Sequence, residues 1–202
     1  RPPRSTQSRS SAASDVYKRQ ICKEACRHGE KYVLLMFDDP TRNHEKRKRF
    51  HADVRYAAKP LTETVRREAA ERGEVPVGAV VVSADGKVLA SAGNRTRQLC
   101  DPTAHAEILA IRTACTEVAD ERLVGCSLYV TLEPCPMCAA AISFARVKRL
   151  YYAASDPKGG GIEQGARVFS QPTCHHVPEI YPGIGEAEAS TLLKDFFEQR
   201  RN

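Results

Sequence analysis

Leu128-Tyr129-Val130-Thr131-Leu132-Glu133-Pro134-Cys135-Pro136-Met137-Cys138 holds a strand, a break and a helix start in one short stretch. Ser127 to Leu132 reads as a strand. Pro136 suits the first position of the helix that follows, where its missing N–H is no loss. A spacing of three puts Cys135 and Cys138 on one side of that first turn. Free backbone N–H groups and the helix dipole there favour thiolates. The stretch therefore predicts an α/β architecture with two sulfur ligands at a strand-to-helix junction.

Upstream, Asp101-Pro102-Thr103 punctuates the chain, and either Asp101 or Thr103 can cap a helix that carries His105-Ala106-Glu107 at its start. Ile108, Ile111 and Cys115 give that helix an apolar face. One histidine and two cysteines suit zinc, which keeps a fourth position open when the site is catalytic. Glu107 is placed to move protons at that position rather than to ligate. Residues two apart do not share a face of a regular helix. His105 and Glu107 can therefore meet one site only if the helix entry is arranged for it. Taken alone, Cys135–Cys138 also fits a thioredoxin-like redox dithiol. A redox dithiol has no need of His105 and Glu107, and the joint pattern favours the metal.

Elsewhere, Leu61, Val65 and Ala69 recur at helical spacing, and Gly73 ends that helix. Val77–Val82 is a continuous apolar run of strand length. Ala84-Asp85-Gly86-Lys87 is a turn, and Val88 to Ala92 returns as a hairpin. Val147 to Ala154 is a further strand, and Gly159-Gly160-Gly161 a loop. Leu192, Leu193, Phe196 and Phe197 lie on a C-terminal helix opened by Glu186 and Glu188 and closed by Arg200 and Arg201, in the charge order that suits the dipole. Strands alternating with helices predict an α/β sandwich, helices on both faces of one sheet.

The net charge of +6 misleads if taken whole. Residues 1–52 hold 13 of the 31 Lys/Arg but only 6 of the 25 Asp/Glu, so the entire excess lies there. A nucleic-acid footprint on the remaining residues must be local. Ser10-Ser11-Ala12-Ala13-Ser14-Asp15-Val16-Tyr17-Lys18-Arg19-Gln20 resembles an in-frame translation of a transposase adaptor used in sequencing libraries, which makes residues 1–20 a sequencing artefact. Residues 21–52 are a basic leader outside the fold, although Tyr32–Phe37 could form a short strand and Thr41–Phe50 a nucleic-acid arm. The domain is expected over 53–202. No apolar run approaches the length of a membrane span. The eight scattered cysteines suit reduced thiols in the cytoplasm better than a disulfide framework.

Val75-Pro76-Val77-Gly78-Ala79, Gly93-Asn94-Arg95, Asp101 to Glu107, Leu128 to Cys138 and the ending Asp195-Phe196-Phe197 with Arg200-Arg201 together resemble the bacterial TadA-type tRNA adenosine deaminases, within the zinc-dependent cytidine/deoxycytidylate deaminase superfamily. The resemblance runs from about residue 60 to the end. It implies a cytidine-deaminase-like three-layer α/β/α sandwich with a mixed sheet of about five strands. It implies a cytoplasmic homodimer that converts adenosine to inosine at the wobble position (position 34) of a tRNA anticodon. One Zn2+ per subunit would sit on His105, Cys135 and Cys138, with zinc-activated water and Glu107 as proton shuttle. Asn94 would read the flipped base and Asp156 lie near a ribose 2′-hydroxyl. Phe196 and Phe197 could stack on splayed anticodon bases while Arg200 and Arg201 meet phosphates. Without the resemblance, Asn94 reads as a hairpin-end residue and Asp156 as a loop residue before Pro157. Arg146, Lys148, Arg149 and Lys158 are further basic candidates, and His175 and His176 line the groove or lie on the surface. The same chemistry would serve a deaminase of free cytosine, guanine or a nucleotide. The aromatic-basic tail favours RNA.

Overall fold

The computed structural model describes residues 44–200, with side chains from residue 58 onward. The expectations for residues 1–43 and for Arg201 lie outside the described residues. Arg55–Asn202 forms one compact unit.

Helix α1 spans His44–Glu71 and passes through Pro60, so the spacing of Leu61, Val65 and Ala69 marks only its later half. It ends where Gly73 takes a left-handed φ of 78°. Gly73 N–H donates to the Ala70 carbonyl and Glu74 N–H to the Ala69 carbonyl, each at 2.9 Å. That is the double closure a glycine at this position permits. The hairpin β1 (Gly78–Val82) and β2 (Val88–Gly93) follows. Then come α2 (Ala106–Val118), β3 (Ser127–Leu132), α3 (Pro136–Phe144), β4 (Arg149–Ala154), a 3-10 turn at Val168–Ser170, β5 (Glu179–Tyr181) and α4 (Glu186–Glu198).

The sheet order is β2-β1-β3-β4-β5. β1 runs antiparallel to both neighbours, while β3, β4 and β5 are parallel. This is the expected mixed five-strand α/β sheet. β5 has no counterpart in the sequence reading: it is three residues long and largely exposed, and no apolar run announces it.

Alternation along the strands sorts the two faces. Ala79, Val81, Leu128, Val130, Leu150 and Tyr152 join Ala106, Ala110 and Ile111 of α2 and Ala139 and Ile142 of α3 in the main core. At the end of β4, Ala153 and Ala154 pack with Ala189 of α4, Ala153 from the face opposite the main core. α1 lies against the hairpin on that face. Gly78 and Gly93 face each other in register, and a side chain at either would run into the Thr62 or Val65 carbonyl of α1. Those glycines let helix and sheet backbones touch, with Gly78 N–H donating to Thr131 Oγ1 at 3.0 Å.

The register has a functional result. β2, β3 and β4 point the same way, so Asn94, Glu133–Cys135 and Ser155–Asp156 all leave the sheet at one edge. That carboxyl-end edge is where open α/β sheets collect ligands.

Candidate metal centre and active site

α2 and α3 both begin at this edge, and each begins with a metal-ligating residue type as its N-cap. His105 caps α2 in extended conformation (φ −72°, ψ 152°). Cys135 caps α3 in the same conformation (φ −67°, ψ 170°), with Pro136 at the first helical position. Neither side chain caps its own helix, which leaves both free for other work. The extended N-cap also settles how His105 and Glu107 reach one site: His105 stands outside the helical repeat and Glu107 stands in the first turn.

The expected caps do not form. Asp101 instead closes a local turn, accepting from Thr103 N–H and Thr103 Oγ1, both at 2.7 Å. The N–H of Ala106 donates to Asn94 Oδ1 at 2.8 Å. Asn94, buried at the end of β2, therefore caps α2 from another element. The local pattern could not reveal this because cap and helix are twelve positions apart.

His105 Nδ1 lies 3.7 Å from Cys135 Sγ and 3.6 Å from Cys138 Sγ. The three donor atoms fall within 4.8 Å of one another. Tetrahedral zinc, with Zn–S of about 2.3 Å and Zn–N of about 2.0–2.1 Å, separates N from S by roughly 3.6 Å. The donor set therefore fits zinc in both chemistry and spacing, with three protein donors and a fourth position open.

Electrostatics agree. The Cys138 thiol donates to Cys135 and pulls the Cys135 pKa down to about 4, with the His105 hydrogen bond adding to the effect. Cys138 is pushed up by that same hydrogen bond and by burial. The hydrogen bond between the two sulfurs thus favours one thiolate, and a divalent cation would let both sulfurs ionise. His105 is raised by its hydrogen bond to Cys135. Burial lifts Glu107 to about 7, in the range a proton carrier needs at neutral pH.

Two buried carboxylates hold the loops that flank these donors. Glu74, 1 % exposed, accepts from Arg97 N–H at 3.0 Å, Gln98 N–H at 2.8 Å and Thr96 Oγ1 at 3.1 Å. This secures the loop between Asn94 and His105. Glu133, 2 % exposed, accepts from the N–H groups of Asp156, Ile162, Glu163 and Gln164 and from Ser155 Oγ. Sequence reasoning quoted Glu133 within the motif and passed over Glu74. A lone acid reads as solvated, and the donors that bury it come from remote loops.

Of the other expected residues, Asp156 lies past β4, where its Oδ1 accepts from Lys158 N–H and Gly159 N–H, both at 3.0 Å. Phe196 is buried, and its ring is edge-on to Phe197 with centroids 5.5 Å apart. The Arg200 guanidinium sits 4.1 Å over the Phe196 ring and donates to the Gly73 carbonyl at 2.6 Å. Phe197 is 46 % exposed. α4 ends at Glu198 with no basic residue in its last turn, so Arg200 does not close α4 and fastens the end of α1 instead. Arg149 is paired with Glu179 at 3.2 Å, and Arg146 donates to the His175 carbonyl at 2.9 Å. His176 Nε2 lies 2.7 Å from the Val147 carbonyl.

Comparison with known proteins places this geometry. The family model described as MafB19-like deaminase matches residues 52–201. A tRNA-specific adenosine deaminase of Agrobacterium fabrum is 62% identical over 135 residues, covering 67% of this chain and 88% of its own. That of Aquifex aeolicus is 44% identical over 138 residues, covering 67% and 89%. A solved structure from studies of A-to-I editing by tRNA:A34 deaminases at the wobble position of transfer RNA superposes with a TM-score of 0.65 at 60% identity, covering 66% of this chain and 96% of that one. The chain belongs to the family of these relatives, the tRNA-specific adenosine deaminases of the cytidine-deaminase-like superfamily.

Proposed function

We propose that this enzyme hydrolytically deaminates adenosine to inosine at the wobble position (position 34) of a tRNA anticodon, releasing ammonia. The reading is carried by one observation: buried Glu107 lies against Cys138, one of three donors spaced for tetrahedral zinc. The close relatives named as tRNA-specific adenosine deaminases support the substrate.

His105 Nδ1, Cys135 Sγ and Cys138 Sγ would hold one zinc per subunit. When bound, zinc supplies the Lewis acidity that lowers the pKa of water to around 7. Glu107 takes one proton from the attacking water and gives it to the ring nitrogen, where it stays; it then moves the second, from the new hydroxyl on that carbon, to the departing amine, so the carbon–nitrogen bond breaks to ammonia as the carbonyl forms. Burial suits it to this exchange, since its pKa of about 7 lets it hold or release a proton near neutrality. Asn94 spends its Oδ1 on Ala106 and so faces the base with its amide NH2. Asp156 meets the ribose, and a 2′-hydroxyl contact selects RNA over DNA. Phe197 is the exposed stacking surface of the tail. The enzyme works as a cytoplasmic homodimer; among the described residues no helix is long and apolar enough to cross a membrane.

The test is to load the protein with zinc and supply an anticodon stem-loop with a wobble adenosine, and separately free cytidine and guanine. Inosine from the RNA is expected. Ammonia from a free base with no inosine from RNA would favour the free-base reading. Two titratable thiols with no bound metal would favour a redox dithiol.

A further inference from the structure

We infer that Glu133 is a positioning residue: it seats the loop Ser155–Gln164 against the metal-ligand turn and so sets how tightly the RNA substrate is held. The inference rests on the deaminase reading above, and it assigns a role that His105, Glu107, Cys135 and Cys138 do not fill.

Glu133 immediately precedes Pro134-Cys135 at the end of β3. One carboxylate oxygen collects three consecutive backbone N–H groups, Ile162 at 3.1 Å, Glu163 at 2.9 Å and Gln164 at 3.0 Å. The other takes Ser155 Oγ at 3.1 Å and Asp156 N–H at 3.0 Å. The two ends of the loop are thus tied to one side chain. The side chain thus accepts five hydrogen bonds, all from this loop.

Packing reinforces the tie. A Cβ on Gly160 would stand 2.6 Å from the Glu133 carboxyl carbon, and one on Gly161 would stand 2.6 Å from Pro136 N. Gly161 N–H donates to the Pro134 carbonyl at 2.8 Å. The loop therefore lies directly on the turn that presents Cys135, with Asp156 at its entrance. A core acid serving stability alone would not need to join the two ends of one loop beside the site. The donors, in contrast, are presented by helix starts that Glu133 does not hold. Loosening the loop should weaken substrate binding more than the chemical step.

Glu133→Gln replaces an acceptor oxygen with an NH2 that must face an N–H donor. Gly160→Ala pushes the loop off the carboxylate from the other side. Each variant, in the full chain, is assayed for zinc content, for amide hydrogen exchange over residues 155–164, and for KM and kcat on the anticodon stem-loop. Both should keep zinc and exchange faster in the loop, with KM raised about tenfold or more and kcat within about threefold. KM within about twofold of the parent, a fall in kcat at unchanged KM, or loss of zinc in both would overturn the inference. If Glu133→Gln does not fold, Gly160→Ala decides by the same criteria, and failure of both to fold counts against a role in binding. A parent chain that makes no inosine would instead sink the deaminase reading; loop exchange would still decide whether Glu133 seats the loop.

Discussion

The starts of α2 and α3 solve one problem in two ways. Each gives its N-cap to a ligand side chain, so each must satisfy its first backbone N–H by other means. At α3 the answer is local: Pro136 has no N–H. At α2 it is tertiary: Asn94 arrives from β2 to accept from Ala106. The sulfur half of the centre is therefore written into consecutive residues, while the imidazole half depends on the hairpin packing correctly on α1. The two halves also differ in content. The α3 turn brings a second donor, Cys138, whereas the α2 turn brings Glu107, the proposed proton carrier.

The contrast can be broken at four points. Removing a sulfur should have the largest effect: Cys135→Ala or Cys138→Ala is expected to abolish stoichiometric zinc and detectable inosine together, read by metal analysis and product assay. Glu107→Gln should separate the halves. Zinc should stay at one per subunit while turnover falls by about 10²–10⁴, the usual worth of a general acid–base group; retained turnover would show that protons move by another route. Asn94→Ala strands a buried N–H and should cost about 0.5–2 kcal/mol in thermal or denaturant unfolding. Asn94→Asp keeps the acceptor and should recover most of that stability without restoring turnover, since it lacks the NH2. Pro136→Ala, the matching change at α3, should shift stability less. Equal losses would mean that the two helix starts do not differ as described. Smallest of all, deleting residues 1–52 should leave kcat/KM unchanged, which assigns the activity to 53–202; a loss would bring a third region into the comparison.

Legibility in the sequence followed the same division. The strand, turn and helix from Ser127 to Phe144 could be read because consecutive residues carry the pattern, and so could the three donors that the fold brings together. The hairpin and β4 were legible as apolar runs. The cap of α2 was misplaced onto Asp101 or Thr103, because the true acceptor is remote and the Asp101 turn satisfies itself first. β5 escaped because a short edge strand with exposed side chains lacks periodicity. Glu74 and Glu133 carry no local mark of burial, since the loop N–H groups that replace water around them are brought together only in the folded chain. Arg200 was read as a charge for α4, but a long side chain reaches whatever carbonyl the fold presents, and here that is Gly73.

That last contact bears on how the enzyme can be trimmed or tagged. Arg200 clamps the carbonyl end of α1 and covers the Phe196 ring, so the final turn of the chain acts as a latch on the helix that cradles Gly78 and Gly93. Deletion from Gln199 onward would release that latch and uncover an aromatic ring, and a shortened protein would melt earlier whatever its grip on RNA. Affinity lost on tail deletion would then measure unfastening as much as recognition. The exposed Phe197 ring, which makes neither the Gly73 bond nor the stack on the Arg200 guanidinium, is the better position at which to ask what the tail contributes to tRNA.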